Sequence, residues 1–340
     1  TIKLTNVIVL FVFTVIFLMI IPKLSIPDHS FFQSLGFEHP YKPGVLQIIM
    51  ANLIASIFTL LLLVPYLKKF QWRPDKSMMI KLLNYGWPIM IGGIAYTINE
   101  NMDKLLIEDL ISKEANGVYA ACYKLGVFMT LYIMAFRLGA EPFFFRVAGS
   151  ENAKSNYSTI MTWFVIFGCI FMVVITGYLD LLAGIIIKNK IYLEGLYIVP
   201  VLLIANLFSG IYNNLSIWYK LTDMTRYGMF ISIVGAVITI ITLLIFVPVF
   251  GIMGGAISTL ITYVLMALVS WYLGHKYYPV SYDITKIAVY ILFASAISAL
   301  SFLVFRGDLL VNTAMIIGFV ALVYYLERKE LHAVLLNLKI

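Results

Sequence analysis

Long apolar runs recur along the whole chain and constrain its fold more than any other feature. Ten of them approach the roughly 20 residues that a helix needs to cross a hydrocarbon layer about 30 Å thick. These runs are Leu4–Ile21, Val45–Leu67, Leu82–Ile98, Gly117–Phe136, Tyr157–Leu179, Leu196–Trp218, Met229–Phe250, Ile252–Leu273, Ile287–Phe305 and Leu309–Leu326. We therefore predict an all-α, polytopic membrane protein with ten transmembrane helices.

The composition supports this class and excludes several others. Charged residues make up 12% of the 340 residues and apolar residues 62%, against about 25% and 45–50% in soluble domains. A disordered chain, a coiled coil and an ordinary water-soluble enzyme are therefore excluded. Most of the 24 Lys and Arg residues fall on the side of the first residue, and the basic stretch KKFQWRPDK (68–76) is the strongest indication. Because basic loops stay inside, we predict a multi-pass membrane protein with both ends of this chain cytoplasmic.

The connecting loops carry no recognisable catalytic or nucleotide-binding motif. No G-x-x-x-x-G-K sequence occurs, so we expect no nucleotide site. The longest predicted outer loop contains Asp28, His29, Glu38 and His39, but their spacing fits no standard metal site. We predict a protein that is not an enzyme and that has no cofactor or metal.

The third and fourth predicted spans contain nearly all the ionisable residues that lie inside apolar runs. Such residues are expensive in a bilayer and are functional candidates by default. Lys124 falls about 10 Å inside the fourth span. We predict that it faces the bundle interior within reach of Glu100 or Asp103, and a side chain directed at lipid would contradict this. We expect Lys104 and Glu108 to begin the outer loop instead.

The fourth span ends in RLGAEPFFFR (137–146), where charged and aromatic residues adjoin the inner face. Arg137 and Glu141 are one helical turn apart, and Pro142 is expected to end the span or to start a short interfacial helix. Arg146 would then lie at headgroup level. Two interpretations stay open for Glu141 and Arg146, an interfacial anchor or an inner-face contact for an anionic lipid headgroup.

The same two spans resemble the central region of Wzx-type polysaccharide flippases. The family pattern is a YG-x-P opening, an Asp followed by a basic residue, and then G-x-Y-x-x-x-Y-K. The matching positions are Tyr85, Gly86, Pro88, Asp103, Lys104, Gly117, Tyr119, Tyr123 and Lys124. The AEPFFF run at 140–145 is similar to the lipopolysaccharide or oligosaccharide branch. These flippases are members of the multidrug/oligosaccharidyl-lipid/polysaccharide exporter superfamily.

The resemblance implies an exporter fold of two six-helix lobes plus two further helices. Because members usually have fourteen spans, it implies an N-terminally truncated chain that lacks about four helices. Residues 1–81 would then be the remainder of the N-terminal lobe with a basic linker. Residues 82–275 would form the C-terminal lobe, and residues 276–340 the two additional helices and a cytoplasmic tail.

The resemblance also implies a location, the inner (plasma) membrane of a bacterial cell, and a function. A flippase of this kind moves undecaprenyl-diphosphate-linked oligosaccharide or O-antigen units from the inner to the outer leaflet by alternating access. The implied partners are this lipid-linked oligosaccharide, membrane lipids, and a polysaccharide polymerase and glycosyltransferases, without nucleic acid. The residues assigned to the substrate are Lys124, Arg137, Tyr123 and Asn99, and those assigned to an ion pair or a coupling ion are Glu100 and Asp103.

Two rival functions remain open from the sequence. An ion-coupled multidrug or cation antiporter of the same superfamily would share the architecture but prefer an acidic cavity, which Glu100 and Asp103 would favour and Lys124 would not. A membrane-embedded glycan polymerase or ligase would need more soluble surface than the short outer loops provide.

Overall fold

The structure is a computed structural model that describes residues 2–20, 45–67 and 75–337. The four loop residues Asp28, His29, Glu38 and His39 lie outside these ranges. The helices are α1 (Ile2–Val15, extended by a π-helical turn over Ile16–Ile20), α2 (Val45–Leu67), α3 (Lys76–Leu110), α4 (Lys113–Val147), α5 (Ala153–Gly177), α6 (Leu179–Ile186), a 3₁₀ segment (Lys190–Ile198), α7 (Val199–Leu215), α8 (Ile217–Leu221), α9 (Thr225–Phe250), α10 (Ile252–Tyr277), α11 (Ile284–Leu303) and α12 (Leu309–Asn337).

The helices are long and apolar, as a membrane requires. Eight stretches of the described residues are long and apolar enough to cross one, and the stretch Thr5–Met19 is a shorter apolar helix. Helix α3 falls outside that set because of its polar residues, although its 35 residues extend about 52 Å at 1.5 Å per residue. The predicted all-α, multi-pass membrane fold is confirmed.

Two compact units divide the chain, Thr1–Lys76 and Ser77–Ile340. In the first, α1 packs against α2, and Asn6 on α1 donates its Nδ2 to Thr59 Oγ1 at 2.6 Å. An amide inside a membrane needs such a partner because lipid offers none. The predicted boundaries at residues 81 and 275 stay predictions.

Helix α7 is the centre of the second unit. It packs against α4, α5 and α10, while α9 pairs with α10, and α11 and α12 both pack on α5. Its core includes the fully buried side chains of Tyr119, Phe164 and Met172. The unit therefore presents α3 and the outer faces of α4 and α9 at its surface.

The connection between α9 and α10 is a tight turn. Gly251 has φ of 60°, a left-handed conformation that glycine adopts without steric cost. A Cβ added at Gly254 would overlap the backbone of Phe246. The two helices therefore meet directly, with almost no loop between them.

Two sequence-based boundaries are wrong. Helix α3 runs on to Leu110, so Lys104 and Glu108 lie in the helix and not in an outer loop. Leu, Glu and Lys favour helix in this stretch, and Glu108 accepts a hydrogen bond from Asn116 Nδ2 at 3.0 Å. Helix α4 continues past Pro142 to Val147, so this proline neither ends the span nor starts a separate helix.

Candidate functional site

Glu100 on α3 is bound by hydroxyl groups from two other helices. Tyr123 on α4 donates to its Oε1 at 2.6 Å, and Tyr263 on α10 donates to its Oε2 at 2.5 Å. Hydrogen bonds to a charged acceptor are the strong ones. The carboxylate therefore joins three helices at one point, and two tyrosines satisfy it in place of a basic side chain.

Asp103 lies one turn further along α3 and is almost fully buried, with 1% of the residue exposed. Tyr119 on α4 donates to its Oδ2 at 2.6 Å. Lys104 approaches its Oδ1 at 3.4 Å, and its Nζ also lies 3.9 Å from the centre of the Tyr123 ring. Together, Glu100, Asp103, Lys104, Tyr119 and Tyr123, with Tyr263, form what we call the carboxylate–tyrosine cluster.

Asn99, which the sequence assigned to the substrate, is buried within the bundle. Its Oδ1 accepts from Thr239 Oγ1 on α9 at 3.1 Å, and Thr239 also contacts Thr262 on α10 at 3.0 Å. Only 2% of Asn99 is exposed. This amide therefore joins α3 to α9 and α10, and a substrate cannot reach it in this conformation.

The predicted contact of Lys124 with Glu100 or Asp103 is wrong. Lys124 is exposed, and it has no ion pair within the part of the chain that the structure describes. It lies on the outer stripe of α4 beside Val127 and Leu131, which are 39% and 54% exposed. The tyrosines satisfy both carboxylates, and this arrangement leaves the lysine free to face outward.

Helix α3 carries exposed polar residues near the same level of the bundle as the carboxylate–tyrosine cluster. Thr97 and Asn101 are exposed one turn apart, and Lys104 is 27% exposed with its Nζ above Tyr123. Lys104 on α3 thus contacts the residue that precedes Lys124 on the neighbouring helix α4. We call Thr97, Asn101, Lys104 and Lys124 the polar face.

The other end of α4 forms an ion-pair network. Lys220, in α8, lies 2.7 Å from Glu141 Oε1, and Arg137 lies 3.5 Å from Oε2. A narrow cleft between α4, α7 and α8 contains all three side chains. Arg146 lies further along, exposed, with its guanidinium 5.5 Å from the centre of the Phe143 ring. Glu141 is therefore paired with cations of the protein. The predicted inner-face contact with an anionic lipid headgroup would then be made by Arg146 alone.

Several residues that stabilise this unit were not predicted from the sequence. Glu327 on α12 is 2% exposed, with Lys286 Nζ and the Tyr290 hydroxyl each 2.7 Å from its carboxylate. The signal was a carboxylate at the end of an apolar span, in YLERK, with a lysine at the start of the preceding span. Tyr263 gave no signal because tyrosine is common in this chain.

Another ion pair lies outside the long apolar spans. Arg306 follows α11 and donates from both Nε and Nη2 to the Asp180 carboxylate, at 2.8 to 3.1 Å. These bonds raise the pKa of Arg306 above its usual value. Since the guanidinium is charged at any accessible pH, this pair fastens the α11–α12 connection to α6. Among the described residues, no group of three His, Cys, Asp or Glu side chains is placed to hold a metal ion.

Comparison with known proteins bears on this architecture. Residues 3–148 match the family of polysaccharide biosynthesis proteins. The structure is similar to that of the lipid II flippase MurJ in an inward closed conformation, with a TM-score of 0.67 and 14% identity, over 96% of this chain and 67% of that chain. The predicted family resemblance is confirmed. The fold is similar to that of this flippase.

Two further similarities are weaker. An uncharacterized membrane protein of Methanocaldococcus jannaschii is 25% identical over 242 residues, which cover 66% of this chain and 56% of that protein. The chain thus spans little more than half the length of this curated relative. A multidrug transporter of the MATE family, in its outward-facing conformation, gives a TM-score of 0.46 and 22% identity over 66% of this chain and 52% of its own, a similarity too low to carry an argument.

Proposed function

We propose that the protein is a flippase for lipid-linked oligosaccharides, which moves an undecaprenyl-diphosphate-linked glycan from the inner to the outer leaflet by alternating access. The observation that carries the proposal is Lys124, an exposed lysine without a counter-ion among the described residues, set in the membrane-spanning helix α4. A cation at such a position is costly unless it faces a polar cavity or ligand. The substrate's diphosphate supplies the matching charge.

The polar face is better suited to a headgroup made of a diphosphate and a glycan than to a lipid that lacks such a headgroup. Lys124 and Lys104 provide positive charge for the diphosphate, and charge-assisted hydrogen bonds to phosphate are strong. Thr97 and Asn101 provide neutral hydrogen-bonding groups of the kind that sugar hydroxyls use. The lipid tail stays in the bilayer, so the protein has only to solvate the headgroup.

The comparisons support this class of substrate. The matching family is described as polysaccharide biosynthesis proteins, and the protein of similar fold is a flippase for lipid II. We extend the substrate class from these proteins to this chain. In a bacterial cell it would act in the inner membrane, with both ends of this chain cytoplasmic, and would serve polysaccharide polymerases and glycosyltransferases.

The carboxylate–tyrosine cluster is our candidate for ion coupling. Glu100 and Asp103 are the acidic side chains in the middle of the bundle that are satisfied mainly by neutral hydroxyl groups. Binding or release of a cation there would change which tyrosines the carboxylates hold, and would thereby shift α4 and α10 relative to α3. Such a shift would link an ion gradient to exposure of the polar face.

The same cluster keeps a second function open, an ion-coupled antiporter for cationic drugs. An acidic group inside the bundle suits a cationic substrate, but the exposed charge of the polar face is positive and repels one. Efflux of a cationic dye from vesicles, with the dye inside, separates the two functions. The flippase proposal expects no dye transport.

A translocation assay tests the proposal. The protein, expressed from its complete gene, is reconstituted into vesicles with a fluorescent undecaprenyl-diphosphate oligosaccharide, and a membrane-impermeant quencher reports the outer-leaflet fraction. We expect translocation of this lipid but not of a fluorescent phosphatidylcholine. Equal rates for vesicles with and without the protein would contradict the proposed function.

A further inference from the structure

A second polar surface lies apart from the sites described above. The first turns of α3, the α8–α9 loop and the start of α9 surround a basin of about 840 Å³. Its polar lining consists of Lys81, Asn84, Tyr85, Asp223, Thr225, Arg226 and Tyr227. We call it the α3–α9 basin, and it belongs entirely to the second unit.

Two cations face this basin from different helices. Lys81 on α3 and Arg226 on α9 are both exposed, and neither forms an ion pair in the described ranges. The guanidinium of Arg226 lies 5.9 Å from the centre of the Trp87 ring, a cation–π contact that leaves its hydrogen-bond donors available. Asp223 is the acidic group of the lining, so the basin has a net positive charge.

Apolar side chains adjoin these cations. Met78 and Leu82 on α3 are 60% and 64% exposed, and Met224 is 37% exposed. Exposed apolar side chains at the edge of a site contribute nothing to the binding of a free, soluble anion. Cations, an interfacial tryptophan and exposed aliphatic groups side by side are the pattern of a lipid contact at the membrane surface.

We propose that the α3–α9 basin binds the phosphate-bearing headgroup of an anionic membrane phospholipid. Lys81 and Arg226 would bind the phosphate, and Met78, Leu82 and Met224 would contact the upper part of the acyl chains. The site is separate from the polar face, so the proposal does not rest on the proposed transport function. The carboxylate of Asp223 repels the negatively charged phosphate and thereby limits the affinity of the basin for the lipid.

Lipid binding to the full, delipidated chain tests this site. Native mass spectrometry measures bound phosphatidylglycerol and bound phosphatidylcholine with identical acyl chains. Because each basic side chain near a surface contributes about a fivefold factor in affinity for anionic lipid, we expect Lys81→Ala and Arg226→Ala each to weaken phosphatidylglycerol binding about fivefold. Phosphatidylcholine binding should not change.

Two further variants serve as controls. Asp223→Asn removes the opposing charge and is expected to strengthen phosphatidylglycerol binding, a gain that a misfolded protein would not show. Lys276→Ala removes an exposed cation at the end of α10, outside the basin, and should leave binding unchanged.

Three results would overturn the proposal. One is phosphatidylglycerol binding that is unaffected by the double variant Lys81→Ala/Arg226→Ala. Another is an equal loss for phosphatidylcholine, which would assign the contact to the acyl chains alone. The third is full displacement of phosphatidylglycerol by inorganic pyrophosphate at equal concentration, which would assign the basin to a soluble phosphate.

Discussion

The hydroxyl of Tyr263 on α10 donates to Oε2 of Glu100 on α3 at 2.5 Å, across 163 residues of sequence. Helices α3 and α10 are thus joined by one strong, charge-assisted bond inside the bundle. This bond also explains why Glu100 needs no lysine partner.

Removing this hydroxyl should loosen the bundle. We expect Tyr263→Phe to lower the free energy of unfolding by about 1–3 kcal/mol, because a partly buried carboxylate loses one of its two tyrosine donors. The shift in the thermal unfolding midpoint in detergent measures it. Tyr272→Phe is the matched control on the same helix, since Tyr272 is 66% exposed. Equal stability of the two variants would show that Glu100 does not depend on Tyr263.

A substitution at Lys124 should affect transport without affecting stability. We expect Lys124→Ala to abolish most translocation of the lipid-linked glycan while leaving the unfolding midpoint unchanged, because the side chain is exposed and supports no other residue. Val127→Ala, on the same stripe, is the control. Full glycan export by Lys124→Ala would remove the role that we give this residue.

The Glu141–Lys220 pair should show coupling in a double-mutant cycle. Both side chains are partly exposed, at 34% and 23%, so we expect a coupling energy of about 0.5–1 kcal/mol. Unfolding of Glu141→Gln, Lys220→Gln and the double variant in denaturant gives this energy. An additive double variant would mean that the 2.7 Å contact contributes nothing to stability.

The Glu327–Lys286 pair should behave differently from the Glu141–Lys220 pair, because the Glu327 carboxylate is buried. Lys286→Met leaves a carboxylate that is 3% exposed in its side chain with one charge partner fewer, and we expect a loss of about 3 kcal/mol. Adding Glu327→Met removes the buried charge, so the double variant should be more stable than the single one. Thermal unfolding ranks the two, and the reverse order would refute the interpretation.

The α9–α10 turn should be intolerant of a single added methyl group. Gly254→Ala places a Cβ against the backbone of Phe246, so we expect poor folding, seen as loss of the monodisperse peak in gel filtration. Gly86→Ala meets no atom within 4 Å and should be neutral or slightly stabilising, because alanine favours helix. If both variants behave alike, the turn is less constrained than its geometry indicates.

The class of fold was predictable because one physical requirement dominates it. Apolar runs of about 20 residues leave few alternatives to membrane helices, and α9, α10 and α11 lie close to their predicted positions. The end of α3 was not predictable from hydropathy, because polar residues such as Lys104 end an apolar run without ending the helix.

The candidate site was predictable in its residues but not in its pairing. Counting charges in spans identified Glu100, Asp103 and Lys124, and opposite charges at similar depth suggested an ion pair. Which face each side chain occupies depends on helix rotation, which the spacing does not determine. The hydroxyl groups of Tyr119 and Tyr263 then take the place that a lysine was expected to fill.

The turn at Gly251 has a mechanical consequence. Because almost no loop lies between them, we expect α9 and α10, which we call the α9–α10 arm, to move together rather than to slide along each other. Asn99 touches that arm through Thr239, and Glu100 touches it through Tyr263. Consecutive residues of α3 thus bind both helices of the arm, and a rotation of α3 that preserves both bonds would turn the arm with it.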